Sequence, residues 1–343
     1  MPCRPNPQPA LWRLGVAATA VVLAAGCSSN PVDVPPPTIT PAQAAQSPPA
    51  TGSLPGTVVP LDASARAATF DESTQSLVVL TADDGGSALT ILSGAGQPQA
   101  VPLAGPATAI TGHDGVVFVA ATGGYHRVDL TDRTATRVDI DGREGVEFTA
   151  IARRADGRLV LGSADGAVLT LADDTSVAAE VKIFARVDDL VTSGDTAVVL
   201  DRAQTSVTAL DAAGSGKQQA LRAGDGATTM VADDAGWVLV ADTRGGELLV
   251  YGVDPLILRQ RYPVADAPYG LATSDNGWAW VAQSATNTVV GYDLATGIPV
   301  EKVRYPTVQQ PDSLAFDDAS GTLYVVSGAG AGVQVIRSAE GTR

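Results

Sequence analysis

The chain has 343 residues, of which 45% are hydrophobic and 17% charged, so it is long enough to bury one large core or two ordinary ones. Its formal net charge of −15 leaves too little basic surface for phosphate contacts, which excludes a nucleic-acid partner. The 36 Gly and 22 Pro, with 5% aromatic residues, indicate a fold rich in turns rather than helices.

Residues 1–26 have the pattern of a secretory signal peptide. Arg4 and Arg13 are the only charged residues in this stretch, and an apolar run from Leu14 to Ala25 follows them. This run is too short to cross a bilayer core of about 30 Å, which takes roughly 20 residues. We therefore expect residues 1–26 to be a signal peptide that is removed.

The signal ends in a short motif around Cys27. The residues Leu23-Ala24-Ala25-Gly26-Cys27 resemble a bacterial lipobox, in which the cysteine thiol receives a diacylglycerol. This resemblance implies a protein anchored through a diacylglyceryl-Cys27 at the extracytoplasmic face of the cell membrane, in the periplasm or cell envelope. Cys3 is the other cysteine and would leave with the signal, so the mature chain cannot form an internal disulfide.

A proline-rich segment follows the predicted anchor. Ser28 to Gly56 contains eight prolines among Ala, Thr, Gln and Ser and shows no apolar periodicity. Such a composition favours an extended chain of about 3.1 Å per residue where it is polyproline-like. We therefore expect residues 27–56 to be a disordered, lipidated stalk.

From Thr57 onward the sequence repeats about every 40 residues. Each unit has a short strand with a small or hydroxyl residue, a turn with Asp or Gly, and a strongly apolar strand. The corresponding positions are 40 to 43 residues apart and are Thr69, Thr111, Ala152, Thr192, Ala232, Ala272 and Ala315. Seven such units, each with room for four strands, predict an all-β fold, a seven-bladed β-propeller over residues 57–343.

The two ends of the repeat region predict how the ring closes. Only a few polar residues follow Val333–Ile336, so the seventh unit lacks an outer strand. The segment Thr57–Leu61 precedes the first unit and is similar to its outer strand, Ala100–Leu103. We therefore expect residues 57–61 to complete the last blade and remove an exposed sheet edge.

The sixth and seventh units show a family resemblance. The segments Ala267–Ala272, Trp280–Ala282 and Asn287–Gly297, continued by Pro311–Asp317 and Leu323–Val326, are similar to YVTN-type propeller repeats. The middle units match more loosely, and the similarity is weaker still before Ala107. The chain as a whole, with far more arginine than lysine, resembles surface lipoproteins of actinobacteria, mycobacteria included. That resemblance implies a lipid-anchored propeller and supplies no activity.

Motifs for catalysis and for cofactors are missing from the sequence. There is no G-x-S-x-G nucleophile elbow, and Gly214–Lys217 lacks the upstream glycine of a P-loop. The two histidines, His113 and His126, have no cysteine partners for a zinc or copper site once Cys27 is lipidated. We expect no catalytic residue, no metal site and no cofactor, and we keep a divalent cation open as an alternative.

A candidate binding site follows from the propeller architecture. The loops before the first strands and between the second and third strands meet at one mouth of the central channel, where propellers usually bind ligands. Nine residues of these loops are candidate ligand-binding residues: Glu147, Asp188, Asp189, Arg202, Asp242, Arg244, Tyr269, Gln283 and Asp312. Carboxylates outnumber the two arginines, which favours a cation, a polyol or a basic segment of a partner. A solvated acidic rim without a ligand is the alternative.

Three functional hypotheses follow. The first is a non-catalytic binding or scaffold module at the cell envelope, whose partner is an envelope protein or a small ligand. The second is a propeller hydrolase or lyase, similar to lactonases, that uses acidic mouth residues with or without a divalent cation. The third is a carrier for a small extracytoplasmic ligand. The fold does not rank them, because propellers host many unrelated functions.

Overall fold

The computed structural model describes residues 1–2, 37–83, 86–94 and 96–341. The predicted lipidation site Cys27 and nearly all of the predicted signal peptide therefore lie outside the described residues. The described residues from Pro37 onward form one compact unit. No helix in the described part of the chain has the length and apolar character needed to cross a bilayer.

Seven four-stranded antiparallel sheets make up the fold, and their strands form four layers. The first strands are β2 (Ser64–Asp71), β6 (Ala107–His113), β10 (Phe148–Arg153), β14 (Asp189–Ser193), β18 (Ala227–Ala232), β22 (Pro268–Ser274) and β26 (Pro311–Asp317). The second strands are β3 (Ser76–Asp83), β7 (Val116–Ala121), β11 (Leu159–Ser163), β15 (Thr196–Asp201), β19 (Trp237–Asp242), β23 (Trp278–Gln283) and β27 (Thr322–Ser327).

The third and fourth strands complete each sheet. The third strands are β4 (Gly86–Ser93), β8 (Gly124–Asp129), β12 (Ala167–Leu171), β16 (Ser206–Leu210), β20 (Glu247–Val253), β24 (Thr288–Asp293) and β28 (Val333–Ile336). The fourth strands are β5 (Gln99–Leu103), β9 (Thr134–Asp139), β13 (Val177–Lys182), β17 (Lys217–Arg222), β21 (Leu256–Pro263), β25 (Val300–Pro306) and β1 (Thr57–Val59).

The first strands pack side by side around the ring. Each contacts the first strand of the blade before it and of the blade after it, and β26 contacts β2. All seven repeat positions identified in the sequence fall on these first strands. The prediction of a seven-bladed propeller with four strands per blade is confirmed.

Burial explains why the layers differ in sequence. Both faces of each second strand are covered by the neighbouring blades, and in β3 the residues Leu77–Leu80 are fully buried. Apolar residues are therefore favoured at every position of these strands. The outer strand β25 instead alternates between exposed and half-buried residues along most of its length, because one face meets solvent.

Aromatic side chains join the blades near the point where the ring closes. Trp280 is fully buried and stacks on Phe316 of the next blade at a centroid distance of 5.6 Å. Phe70 of the first blade stacks on Tyr324 of the seventh blade, also at 5.6 Å. Trp280 and Tyr324 therefore pack between blades.

The N-terminal strand closes the ring as predicted. β1 pairs with β28 in an antiparallel register that places Thr57 opposite Val335 and Val59 opposite Val333. The strand ends at Val59, two residues short of the predicted boundary, and the next residue is Pro60, which has no amide hydrogen for the ladder. The last blade therefore contains both ends of the propeller domain.

The segment before β1 differs from the disordered stalk that its composition predicts. Residues 37–51, which we call the strap, lie against the propeller without forming a strand. Ala42 and Ser47 of the strap are buried at 6% and 5% exposure. Propeller residues form hydrogen bonds with three amides and five carbonyls of the strap.

Removal of residues 57–61 should destabilise the domain. The change deletes the β1–β28 ladder, and each hydrogen bond contributes on the order of 1 kcal/mol net. We expect a loss of about 2–4 kcal/mol, and a melting temperature lower by roughly 5–10 °C in calorimetry. Val58→Ala is the matched control, because this side chain is 44% exposed and its loss should leave the melting temperature nearly unchanged. An unchanged melting temperature for the deletion would contradict ring closure by β1.

Candidate functional site

The channel mouth lies at the end where the first strands begin. Three of the predicted residues act on a fourth there, because the charges of Arg202, Asp312 and Asp189 influence the phenol of Tyr269. Burial is the main cause that raises the pKa of Tyr269 above its ordinary value. The structure therefore brings residues of blades 4, 6 and 7 into one group.

Two adjacent carboxylates of blade 4 belong to this group. Asp189 accepts hydrogen bonds from the amides of Leu190 (2.8 Å) and Met230 (3.0 Å), and the second bond links two blades. Burial raises the pKa of Asp189 to about 6. Asp188 accepts a bond from the amide of Arg202 at 2.8 Å, and burial raises the pKa of Asp188 as well.

Asp312 is the acidic member from blade 7. Its Oδ1 accepts a hydrogen bond from Nε2 of Gln310 at 2.8 Å. Burial raises the pKa of Asp312 above its ordinary value. Asp188, Asp189 and Asp312 are thus three partly desolvated acids, and the charge of Arg202 acts on the first two.

Two of the predicted residues serve the fold instead of the surface. Asp242 has no exposed area, and its carboxylate accepts bonds from the amides of Asp225, Gly226 and Gly245. Gln283 occupies the same position in the next blade and donates to the carbonyl of Ala265 at 2.9 Å. The structure brings neither side chain to the mouth surface, because both connect loops within their own blade.

The remaining two candidates lie nearer the rim. Glu147 is 57% exposed and 3.7 Å from the guanidinium of Arg186. Arg244 donates one hydrogen bond to the carbonyl of Asp225 and another, at 2.7 Å, to the carbonyl of Thr40 in the strap. In this structure Arg244 therefore binds main-chain carbonyls of its own chain.

The first half of the strap crosses blades 4 and 5. The amide of Ile39 donates to the carbonyl of Ala203 at 2.8 Å. The guanidinium of Arg202 donates to the carbonyl of Ala42. A Cβ atom added to Gly226 would lie 2.9 Å from the Cβ of Ala42. Because Gly226 has no side chain, the strap has room at this point.

The second half of the strap crosses blades 6 and 7. Gln310 forms two bonds of 3.0 Å, donating from Nε2 to the carbonyl of Ala45 and accepting at Oε1 from the amide of Ser47. Ser284 accepts from the amide of Ala45 at 3.1 Å. Asn287 donates to the carbonyl of Pro48 at 2.7 Å. The strap therefore spans the mouth from blade 4 to blade 7.

Sequence reasoning missed Ser284, Gln309 and Gln310 as mouth residues. All three are uncharged, and a search for acids, bases and aromatic side chains passes over them. Their positions did carry a signal, since Ser284 follows a second strand and the two glutamines precede a first strand. Those are the two loop classes that converge on the mouth.

The mouth residues do not fit a divalent cation. Among the residues that the structure describes, no group of three or more His, Cys, Asp or Glu is placed to hold a metal ion. Both oxygens of Asp189 are already engaged by backbone amides. His126 is buried, with Nε2 at 3.1 Å from the carbonyl of Ala104.

Comparison with protein families gives a match over most of the propeller. The family described as the SMP-30/Gluconolactonase/LRE-like region matches residues 68–329. No curated protein matches the sequence.

Comparison with solved structures supports the fold. Virginiamycin B lyase from Staphylococcus aureus superposes with a TM-score of 0.68 at 11% identity, covering 83% of this chain and 99% of the lyase. A streptogramin B lyase gives 0.67 at 10% identity, covering 81% and 96%. The designed protein Ika8 gives 0.60 at 17% identity, covering 83% and 100%. At these identities the likeness concerns the propeller architecture alone.

Replacement of Asp189 by Asn should change how stability depends on pH. An acid whose pKa is higher in the folded state binds its proton more tightly there. The contribution of Asp189 to the free energy of unfolding therefore falls as the pH rises from about 4 through about 6. The variant lacks this fall. Its stability relative to the parent should therefore increase between pH 4 and pH 7.5, by up to about 2–3 kcal/mol.

Urea unfolding at several pH values measures this difference. Glu147→Gln is the control, because its side chain is 57% exposed and the variant should follow the parent curve. Parallel curves for Asp189→Asn and the parent protein would show that Asp189 is not desolvated at the mouth.

Proposed function

The chain belongs to the SMP-30/gluconolactonase/LRE-like family, and from this premise we propose that it is a non-catalytic binding module held at the cell envelope by a lipid on Cys27. The partner is an envelope protein, bound at the channel mouth. The observation that carries this proposal is the hydrogen bonding of mouth side chains to the main chain of an extended segment.

The chemistry of the mouth suits a polypeptide. Arg202, Arg244 and Asn287 donate to three different carbonyls of the strap, and Gln310 contributes both a donor and an acceptor. Paired main-chain donors and acceptors recur along any extended peptide, whereas a sugar or a lactone has no such repeat. A surface with this arrangement supports peptide binding through main-chain recognition.

The chain length between the proposed anchor and the strap supports an envelope role for the mouth. Ten residue steps separate Cys27 from Pro37. A fully extended chain spans at most about 3.6 Å per residue, so a lipid at Cys27 would keep the start of the strap within about 35 Å of the membrane surface. The proposed partner is then a membrane-associated or periplasmic protein that reaches this layer.

A lactonase-like hydrolase or lyase is the second candidate, and the family match favours it. The name of the family includes gluconolactonase, an enzyme that acts on lactones. The strap covers the mouth, however, and both oxygens of Asp189 accept backbone hydrogen bonds. A catalytic role for the acidic mouth residues would require the strap to move first. A carrier for a small ligand would require the same movement.

Replacement of Cys27 by Ser should release the protein from membranes. Serine cannot form the thioether to diacylglycerol, and the acidic chain gains no attraction from an anionic bilayer. Fractionation of cells that express the variant should show it outside the membrane pellet. Ser28→Ala, next to the predicted anchor, should remain membrane-bound. A Cys27→Ser protein that stays in the pellet would refute the anchor.

Site-specific photo-cross-linking tests the proposed function. A photoreactive residue at Glu147, on the mouth rim, should capture a stoichiometric protein partner in native membranes. The control position is Asp114, 82% exposed in the β6–β7 turn at the opposite end of the blades, and it should capture none. Mass spectrometry identifies the product. A metal or small molecule that co-purifies in the absence of any cross-linked protein would favour the hydrolase or the carrier.

A further inference from the structure

We infer that the strap is a built-in ligand, which occupies in cis the site that the mouth offers to a partner segment. The partner segment is extended and uncharged, with small side chains at the positions equivalent to Ala42 and Ser47. This inference rests on the proposed function and adds the chemistry of the ligand and its competitor.

The strap is recognised almost entirely through its main chain. The amides of Ile39, Ala45 and Ser47 donate to the propeller. The carbonyls of Thr40, Ala42, Ala45, Ser47 and Pro48 accept from propeller side chains. A site that uses these groups accepts any chain able to take the same extended path.

Two positions add selectivity for small side chains. Ala42 lies beside Gly226, and a Cβ atom added to Gly226 would lie 2.9 Å from the Cβ of Ala42. Ser47 is buried, and its hydroxyl donates to the carbonyl of Ser284. The neighbouring Gln43 and Gln46 are exposed. Bulk is therefore tolerated at Gln43 and Gln46 and excluded at Ala42 and Ser47.

The strap is held weakly enough to exchange. It belongs to no β-ladder, and its only deeply buried side chains are those of Ala42 and Ser47, which remove little apolar surface from water. Each ordered residue costs backbone entropy that one net hydrogen bond barely offsets. The strap can also leave without breaking ring closure, because Gly52 has open space around it and β1 begins only at Thr57.

Charge favours a partner protein over a second copy of this chain. The strap itself has no charged residue, so it contributes no attraction to an acidic mouth. Without Arg4 and Arg13 of the signal peptide, the formal charge of each copy falls from −15 to −17 (−15 − 2), and the repulsion between two copies opposes strap exchange. A neutral segment on a less acidic protein meets no such barrier.

Peptide exchange tests the inference. A protease site is inserted after Gly52 in the full chain, and the folded protein is cut so that the strap is no longer covalently attached. A fluorescent peptide of residues 37–51 should then bind saturably to the cut protein and at least tenfold more weakly to the uncut protein. In the peptide, Ala42→Trp should weaken binding at least tenfold, whereas the matched Gln43→Trp should stay within twofold.

Several outcomes would overturn the inference. These are equal binding to cut and uncut protein, equal binding of the two tryptophan peptides, or a cut strap that mass spectrometry still finds unexchanged after a day. Concentration-dependent dimers of uncut protein would assign the site to a second copy instead. If exchange fails while the cross-linked partner at Glu147 persists, the binding module stands and only the strap's role falls.

Discussion

The pairing of β1 with β28 is the constraint on which the rest of the structure depends. Because β1 is the outer strand of the last blade, the described residues just before it lie at the rim of blade 7. The carbonyl of Pro55 accepts from Gln334 of β28 at 2.9 Å, which fixes that starting point. From there the strap crosses the mouth to Ala203 in blade 4. Ring closure and coverage of the mouth are thus parts of one N-terminal path.

The repeat also decides which polar residues are available for binding. Asp201, Asp242 and Gln283 end three consecutive second strands, and all three are buried and bonded to backbone groups of the adjacent loops. Repetition of the position across blades indicates a structural role, since each blade must satisfy the backbone amides and carbonyls of its own loops. Arg202 and Arg244 lie in the following loops and are not confined in this way, so they reach the strap.

The sequence predicts the propeller well and the mouth only in part. The blade count and closure follow from the spacing of positions such as Thr69 and Ala315, because buried strands require apolar residues at a fixed period. The acidic group around Asp189 follows from loop topology. The strap does not follow, because a proline-rich segment without apolar periodicity has the composition of disorder and is bound here through main-chain groups that every sequence shares. Asp242 resembles Asp189 in a search for mouth carboxylates, and its place at the end of a second strand, shared with Asp201, is the sequence signal that separates the two.

Amide hydrogen exchange along the strap tests most directly whether the mouth is covered. The structure predicts slowed exchange at Ile39, Ala45 and Ser47, whose amides donate to the propeller, and faster exchange at Gln43 and Gln46 between them. The protected amides should still exchange faster than those of the blades, because the strap opens locally. Uniform exchange at the rate of a free peptide across residues 37–51 would contradict a covered mouth, and with it the built-in ligand.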